Sequence, residues 1–271
     1  MSSASLFILI SLISVAAGVY LAFHTLYAKT TTVHLTVPRM PTLTLIHLSD
    51  LHGRTKFLNG RLHRLVNRWK PDVICVTGDL AQNRGQLASV MAEMAKLESR
   101  QGVYFVPGNY EREEVSGGRK RRYTAEEYAA CKKQWQAQMQ VLENEACFVQ
   151  VGEARLCLYG FDNSTYGNER FDACSQHKPA DCTVLLAHSP KIISLIREKD
   201  IHADLLLTGH THGGQIRLFG KTLGAYKHFH IGQRTDERVG LFAISRGLGT
   251  SRLPLRLNCF PEITVYLLNH P

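Results

Sequence analysis

Apolar and polar positions fall into three kinds of block along this chain. The first is a run over residues 6–23, LFILISLISVAAGVYLAF, with no charge in 18 positions. As a helix it is ~27 Å long, enough for a bilayer core. Continuous short apolar runs form the second kind, at 43–48, 73–77, 103–106, 156–159, 183–187, 205–207, 241–245 and 263–268. They predict strands buried on both faces. The third kind repeats at helical spacing. Leu58, Leu62, Leu65, Val66 and Trp69 are closed by Pro71, and Leu87, Val90, Met91, Met94 and Leu97 form a second set. Thr124 with Glu127 is a capping box that predicts a third helix running to about Leu142. Ser189-Pro190 predicts an N-cap and first turn for a fourth. Strand, loop, helix and strand recur, which predicts an α/β architecture with helices packed over sheets. The divisions expected are an N-terminal transmembrane anchor over 1–28, a Thr- and Pro-punctuated linker over 29–42, and one domain over 43–271.

Composition narrows the partners. The 271 residues carry 32 Lys+Arg against 23 Asp+Glu, for a net charge of +9, with 44% hydrophobic residues. That excludes a disordered, collagen-like or polytopic membrane chain. Residues 1–5 hold no Lys or Arg, unlike the basic start of a cleaved signal peptide. The first basic residues follow the apolar run, at Lys29 and Arg39. The positive-inside rule then puts the domain in the cytoplasm, on a single-pass span of the inner membrane. No aromatic-interleaved basic stripe marks a nucleic-acid binder, and no obligate protein partner is evident. Arg119 to Arg122 (RKRR) is a basic run, read as a solvated loop or an anionic-headgroup contact. The seven cysteines, Cys75, Cys131, Cys147, Cys157, Cys174, Cys182 and Cys259, are odd in number and lack CxxC spacing. They read as buried thiols in a reducing compartment.

The chemistry sits where the strands end. Successive strands run into Asp50-Leu51-His52, Gly78-Asp79, Gly108-Asn109, His188 and Gly209-His210-Thr211-His212-Gly213-Gly214. Ligands of open α/β sheets bind outside the carboxyl ends of strands. Two Asp, one Asn and four His, without Cys, suit Mn, Fe or Zn rather than a structural zinc site. Seven donors exceed the needs of one ion, which points to two ions sharing a carboxylate. Such a pair activates water and stabilises an in-line phosphoryl displacement.

These five blocks, in this order, resemble the calcineurin-like metallophosphoesterase superfamily. HLSDLHG, GHTHGGQIRL and SRGLGTS with LRLNCFPEITV are similar to its membrane-anchored bacterial branch, akin to UDP-2,3-diacylglucosamine pyrophosphatases. The resemblance implies a four-layer α/β/β/α sandwich behind one transmembrane helix. It implies one metal on Asp50, His52, Asp79 and His212. A second falls on Asp79, Asn109, His188 and His210, with Asp79 bridging. Manganese is the first choice, with iron or zinc as alternatives, and a metal-bridging hydroxide is the implied nucleophile. The expected function is hydrolysis of a phosphodiester or pyrophosphate bond in a lipid-linked substrate, in lipid A biosynthesis. Alternatives are a phosphatase or phosphodiesterase on a soluble phosphoprotein or nucleotide, and a non-catalytic metal-binding scaffold.

One position departs from the family pattern. The usual triplet Gly-Asn-His, whose His faces the leaving group, is here Gly108-Asn109-Tyr110. A phenol is a far weaker acid near neutrality than an imidazolium. Tyr110 therefore points to leaving groups that depart as stable anions, as a pyrophosphate bond provides. Arg246 is read as a bidentate contact to the substrate phosphate or as a structural ion pair. His228 and His230 are candidates for the substrate rim or a surface loop. His47 is read as a core residue or a support for the ligands. Trp69 and Trp135 fit helix-core positions, and Phe57 and Leu58 fit packing or an acyl groove. Substrate choice is expected to lie in loops such as 111–123.

Overall fold

The structure, a computed structural model, describes residues 3–163, 165–172, 179–222 and 226–270. In chain order it begins with α1 (Ser3–Leu26), β1 (Lys29–Leu35) and β2 (Leu43–Leu48). A short ribbon of β3 (Lys56–Phe57) and β4 (Gly60–Arg61) leads into α2 (Leu62–Asn67) and β5 (Val73–Thr77). Then come α3 (Arg84–Met94), β6 (Val103–Val106), the hairpin of β7 (Glu113–Ser116) and β8 (Arg119–Arg122), α4 (Ala125–Gln136) and β9 (Gln140–Val141). β10 (Glu145–Val151), β11 (Ala154–Gly160), β12 (Cys182–Leu186), α5 (Ile192–Glu198) and β13 (Leu205–Thr208) follow. The chain ends with the ribbon β14 (Arg217–Leu218) and β15 (Lys221–Thr222), then β16 (Gly232–Asp236), β17 (Gly240–Ile244) and β18 (Glu262–Leu268).

Two six-stranded sheets organise these elements, in the orders β1-β18-β2-β5-β6-β9 and β10-β11-β12-β13-β17-β16. β2, β5, β6 and β9 run parallel, as do β11, β12, β13 and β17. Alternate side chains divide the layers. Leu45, Val73, Tyr104, Leu156, Val184 and Leu205 meet between the sheets. Their neighbours Ile46, Ile74 and Phe105 face outward onto Leu65, Val90, Met94 and Trp135 of α2, α3 and α4. On the far side, Leu185, Leu206 and Phe242 pack on Ile192 and Ile196 of α5. The result is the expected four-layer sandwich. Parallel order puts the carboxyl ends of β2, β5, β6, β12, β13 and β17 along one rim, where every signature loop emerges.

Several local expectations change. Within the stretch expected to be a linker, Lys29–Leu35 pairs in parallel with β18 along its whole length. Its Thr-rich alternation suits a half-exposed edge strand. The helix expected from Leu58 begins at Leu62, because 56–61 fold into a ribbon turning at Leu58 and Asn59. The capping box at Thr124 is present, yet α4 ends at Gln136, and Gln140–Val141 pairs with β6 instead. Ser189 is not the N-cap of α5; that place falls to Lys191, and Ser189 Oγ accepts the Lys191 N–H at 3.4 Å. Arg119–Arg122 is a hairpin strand, with Lys120 paired to Glu113 and Arg121 to Glu114 and Glu127. Gly117 and Gly118, both at positive φ, close its turn. Five cysteines are buried and Cys147 half-buried, all reduced, while Cys174 lies outside the described residues.

The end of α1 docks on the domain. Thr25 Oγ1 accepts the Arg256 N–H at 2.8 Å, and Tyr20 Oη donates to Asn258 Oδ1 at 2.8 Å. His24 stacks on Phe260 with ring centroids 4.2 Å apart. The rest of α1, 24 residues long in all, leaves its apolar side chains uncovered.

Candidate metal centre

Each expected ligand sits in a loop that follows a strand, and the loops are stitched to one another. Asp50 N–H donates to Gly78 O at 3.0 Å and His52 N–H to Asp79 O at 2.9 Å. Gly209 N–H donates to His188 O at 2.9 Å, and His210 N–H reaches the Asp50 carboxylate at 3.0 Å. Two glycines make this proximity possible. A Cβ on Gly78, which has φ 79°, would lie 2.5 Å from His188 Nδ1, and one on Gly209 would collide with Ser49 and Asp50.

The side chains converge in two groups, Asp50 with His52 and His212, and Asp79 with His188 and His210. His52 Nε2 and His212 Nε2 are 3.0 Å apart, and His212 Nε2 is 3.4 Å from Asp50 Oδ1. Asp79 Oδ2 stands between the groups, 3.6 Å from His52 Nε2 and 3.3 Å from His188 Nε2. Its Oδ1 is held by the Tyr110 N–H at 2.9 Å. Asn109 Oδ1 lies 3.2 Å from His188 Nε2, and His210 Nδ1 lies 3.0 Å from the same atom. All seven residues expected to bind metal therefore meet in one place.

The surroundings fix which atoms face the centre. His188 Nδ1 donates to Thr77 O at 2.8 Å, leaving Nε2 for a ligand. Tyr226 Oη lies 3.3 Å from His210 Nε2, and His210 Nδ1 faces His188 and the centre. A buried chain runs from His47 through Thr77 (2.8 Å) and Ser49 (2.9 Å) to Asp50 (2.6 Å). His47 thus supports the ligands, one of the roles expected of it.

Three features fit this donor set to divalent cations. Asp50, His52, Asp79, His210 and His212 all have φ between 44° and 68°, a left-handed conformation that strains residues bearing a Cβ. Burial pushes His52 down to about 4 and His210 to about 3, and lowers His212 well below its ordinary value, so these imidazoles keep free lone pairs. Burial also raises the Asp50 carboxyl to about 6. His188 behaves oppositely. Burial alone would lower it, but the carboxylates of Asp79 and Asp50 and the Thr77 carbonyl hold its imidazolium up to about 10. That proton occupies a place that favours positive charge.

Tyr110 is buried beside the first group, its ring edge-on to His52 at 4.9 Å, with Lys120 Nζ 5.1 Å from its centroid. Arg246 donates to the buried Glu262 carboxylate, the ion-pair alternative of its two readings. His230 Nε2 donates to Phe242 O, and Trp135 is buried while Trp69 packs at the core's margin. Phe57 is buried and Leu58 exposed.

Other residues of the site carried no recognised signal. Glu111, buried, accepts the N–H groups of Asp79 (2.8 Å), Leu80 (2.8 Å) and Gly108 (2.6 Å), tying two ligand loops together. Burial and the Asp79 carboxylate push its acid up to about 7. Glu113 accepts from Asn109 Nδ2 at 3.1 Å and from Tyr166 Oη at 2.5 Å. Arg256 and Tyr226 support His212 and His210 from behind. Only the position of Glu111, two residues after Asn109, hinted at its place.

Fold and site together define a metallophosphoesterase-type domain with a candidate dinuclear metal site. The chain belongs to the calcineurin-like phosphoesterase family, whose model matches residues 43–214. It is 30% identical over 258 residues to a bovine "Transmembrane protein with metallophosphoesterase domain", covering 87% of this chain and 55% of that protein. It is 26% identical over 254 residues to the uncharacterised metallophosphoesterase YkoQ of Bacillus subtilis, covering 85% of each. This chain therefore spans little more than half of the bovine relative. Among solved structures, a Staphylococcus aureus protein provisionally assigned as a 5′-nucleotidase shares the fold. Its TM-score is 0.50 at 12% identity, covering 85% of this chain and 55% of that one.

Proposed function

We propose that this chain is a membrane-anchored two-metal phosphoesterase that cleaves a phosphodiester or pyrophosphate bond in a lipid-linked substrate such as UDP-2,3-diacylglucosamine. The observation that carries the chemistry is the placement of Asp79 Oδ2 between two imidazole-carboxylate groups. Asp50, His52, Asp79 and His212 would hold one divalent ion, and Asp79, Asn109, His188 and His210 the other. Manganese is our first choice, with iron and zinc accepted by the same donors. Bound there, the pair would lower the pKa of water and neutralise charge on the phosphoryl oxygens.

The chain's own residues do the rest. Glu111 and the Tyr110 N–H hold Asp79 in register, and Thr77 and Tyr226 aim His188 and His210. Tyr110 shields the His52 side and offers a weak acid, matched to leaving groups that need little protonation. Lys120, over the Tyr110 ring, adds positive charge beside the site. Arg246, committed to Glu262, has a structural role in this scheme.

Membrane attachment is supported by α1, which is long and apolar enough to span a bilayer, and by relatives named as transmembrane proteins. We assign the domain to the cytoplasmic face of a bacterial inner membrane, from the basic residues that follow α1. The partners assigned are the bilayer and the lipid-linked substrate, with neither nucleic acid nor an obligate protein. Anchoring raises the effective concentration of a substrate confined to the same bilayer. The test is full-length protein in vesicles, loaded with Mn²⁺ and offered UDP-diacylglucosamine, phospholipids, bis-p-nitrophenyl phosphate and a phosphopeptide. Turnover of a lipid-linked phosphate and of bis-p-nitrophenyl phosphate is expected. Turnover confined to the phosphopeptide would reject the substrate class.

A further inference from the structure

We infer that the ribbon β14–β15 is a membrane-inserting element: Leu218 and Phe219 enter the headgroup–acyl boundary of an anionic bilayer, which seats the metal centre at headgroup height. This rests on the proposal that α1 spans that bilayer.

The ribbon's geometry is costly unless its tip has a use. Arg217 pairs with Thr222 and Leu218 with Lys221, so Phe219-Gly220 is a two-residue turn with φ 50° and 75°. Such turns favour Asn-Gly or Asp-Gly, and a bulky aromatic at the first position is strained. Phe219 gains no packing in return, being 99% exposed, and Leu218 is 42% exposed. A strained, fully solvated Phe219 beside a partly exposed Leu218, bracketed by Arg217 and Lys221, matches interfacial insertion rather than folding.

Its position matches too. Asn258 Nδ2 donates to Arg217 O at 3.1 Å, while Asn258 Oδ1 accepts from Tyr20 Oη of α1. The root of the ribbon is therefore two hydrogen bonds from the membrane helix. Phe23, Tyr27 and Phe260 cluster at the same end of α1, an aromatic group whose Tyr27 is of the type enriched at bilayer interfaces. Charge is complementary as well. Arg217, Lys221 and Lys227 line a cavity of about 530 Å³ beside the ribbon. None of the three forms an ion pair among the described residues, and Arg217 Nε is buried without a partner. These cations suit lipid phosphates. On its inner side the ribbon leans on the ligand loop, with Thr222 directly over Gly214, two residues after His212.

The test uses the full chain in vesicles of phosphatidylcholine and phosphatidylglycerol with brominated acyl chains, read by tryptophan quenching against the wild-type background. Phe219→Trp reports the ribbon, Val15→Trp reports α1, and Glu153→Trp reports an exposed turn elsewhere. Quenching at 219 and 15 but not at 153 is expected. Quenching at 15 without quenching at 219 overturns the inference and leaves the anchor standing. No quenching at either defeats the anchor proposal, and the inference with it. Equal quenching at 153 removes the ribbon's special role. Replacing phosphatidylglycerol by phosphatidylcholine should reduce quenching at 219 at least twofold and leave residue 15 unchanged. No reduction contradicts the assigned lipid charge.

Discussion

Arg256 Nη2 lies 3.3 Å from His212 Nδ1, and this buried guanidinium has no carboxylate partner among the described residues. Its donors go to the carbonyls of Arg246, Gly247, Gly249 and Cys259, while its backbone N–H binds Thr25 at the end of α1. One residue thus connects α1 to a candidate metal ligand. Arg256→Met keeps the stem but leaves these carbonyls dry and unpaired, at ~1–3 kcal/mol for each that water cannot reach. We expect a lower unfolding midpoint together with loss of metal from the His212 side. Unchanged thermal unfolding and metal content would contradict this role.

Asp79→Asn removes the carboxylate whose Oδ2 stands between the two ligand groups. Bound metal is expected to fall from about two ions per chain to one or none, and turnover by ~10³-fold or more. Elemental analysis, paired with circular dichroism to verify the fold, measures this. Two retained ions would mean Asp79 does not bridge.

Metal binding should be strongly pH-dependent because of His188. Its folded pKa is raised above the ordinary value of 6.5 to about 10, so without metal it carries a proton at neutral pH. A cation must displace that proton, and apparent affinity should rise ~tenfold per pH unit from 7 towards 10. The stability sign follows. In the metal-free protein this group's contribution is full below pH 6.5 and is lost as pH rises through about 10. Mn²⁺ calorimetry in buffers of different ionisation heat should show proton release on binding. Affinity independent of pH between 7 and 9 would exclude it.

Tyr110→His tests the leaving-group assignment. The substitution is expected to speed cleavage of an alkyl phosphodiester by ~10-fold or more while changing pyrophosphate cleavage little. Equal acceleration of both substrates would show that the residue does not discriminate leaving groups.

How much of this could be read from the chain depends on distance in sequence. Asp50, His52, Asp79, Asn109, His188, His210 and His212 were legible because each belongs to a compact motif at the end of an apolar strand. Glu111 was not, because it lies in an aperiodic loop and acts on backbone amides of residues some 30 positions away. Arg256 and Tyr226 reach their histidines only through tertiary return of the chain. β1 was hidden because an edge strand needs little hydrophobicity. β10 and β16 were missed for a related reason, since their outward faces are polar. The hairpin of 113–122 reads as a charge run until its two strands are seen to place bases opposite acids.

The cysteines carry a practical consequence. Cys75 and Cys157 sit in strand interiors, and burial raises both thiols, Cys157 to about 11. Thiolate, not thiol, reacts with alkylating reagents. The intact protein should therefore resist such labelling at these positions, and the rate at which Cys75, packed between the sheets, becomes modified would clock their separation.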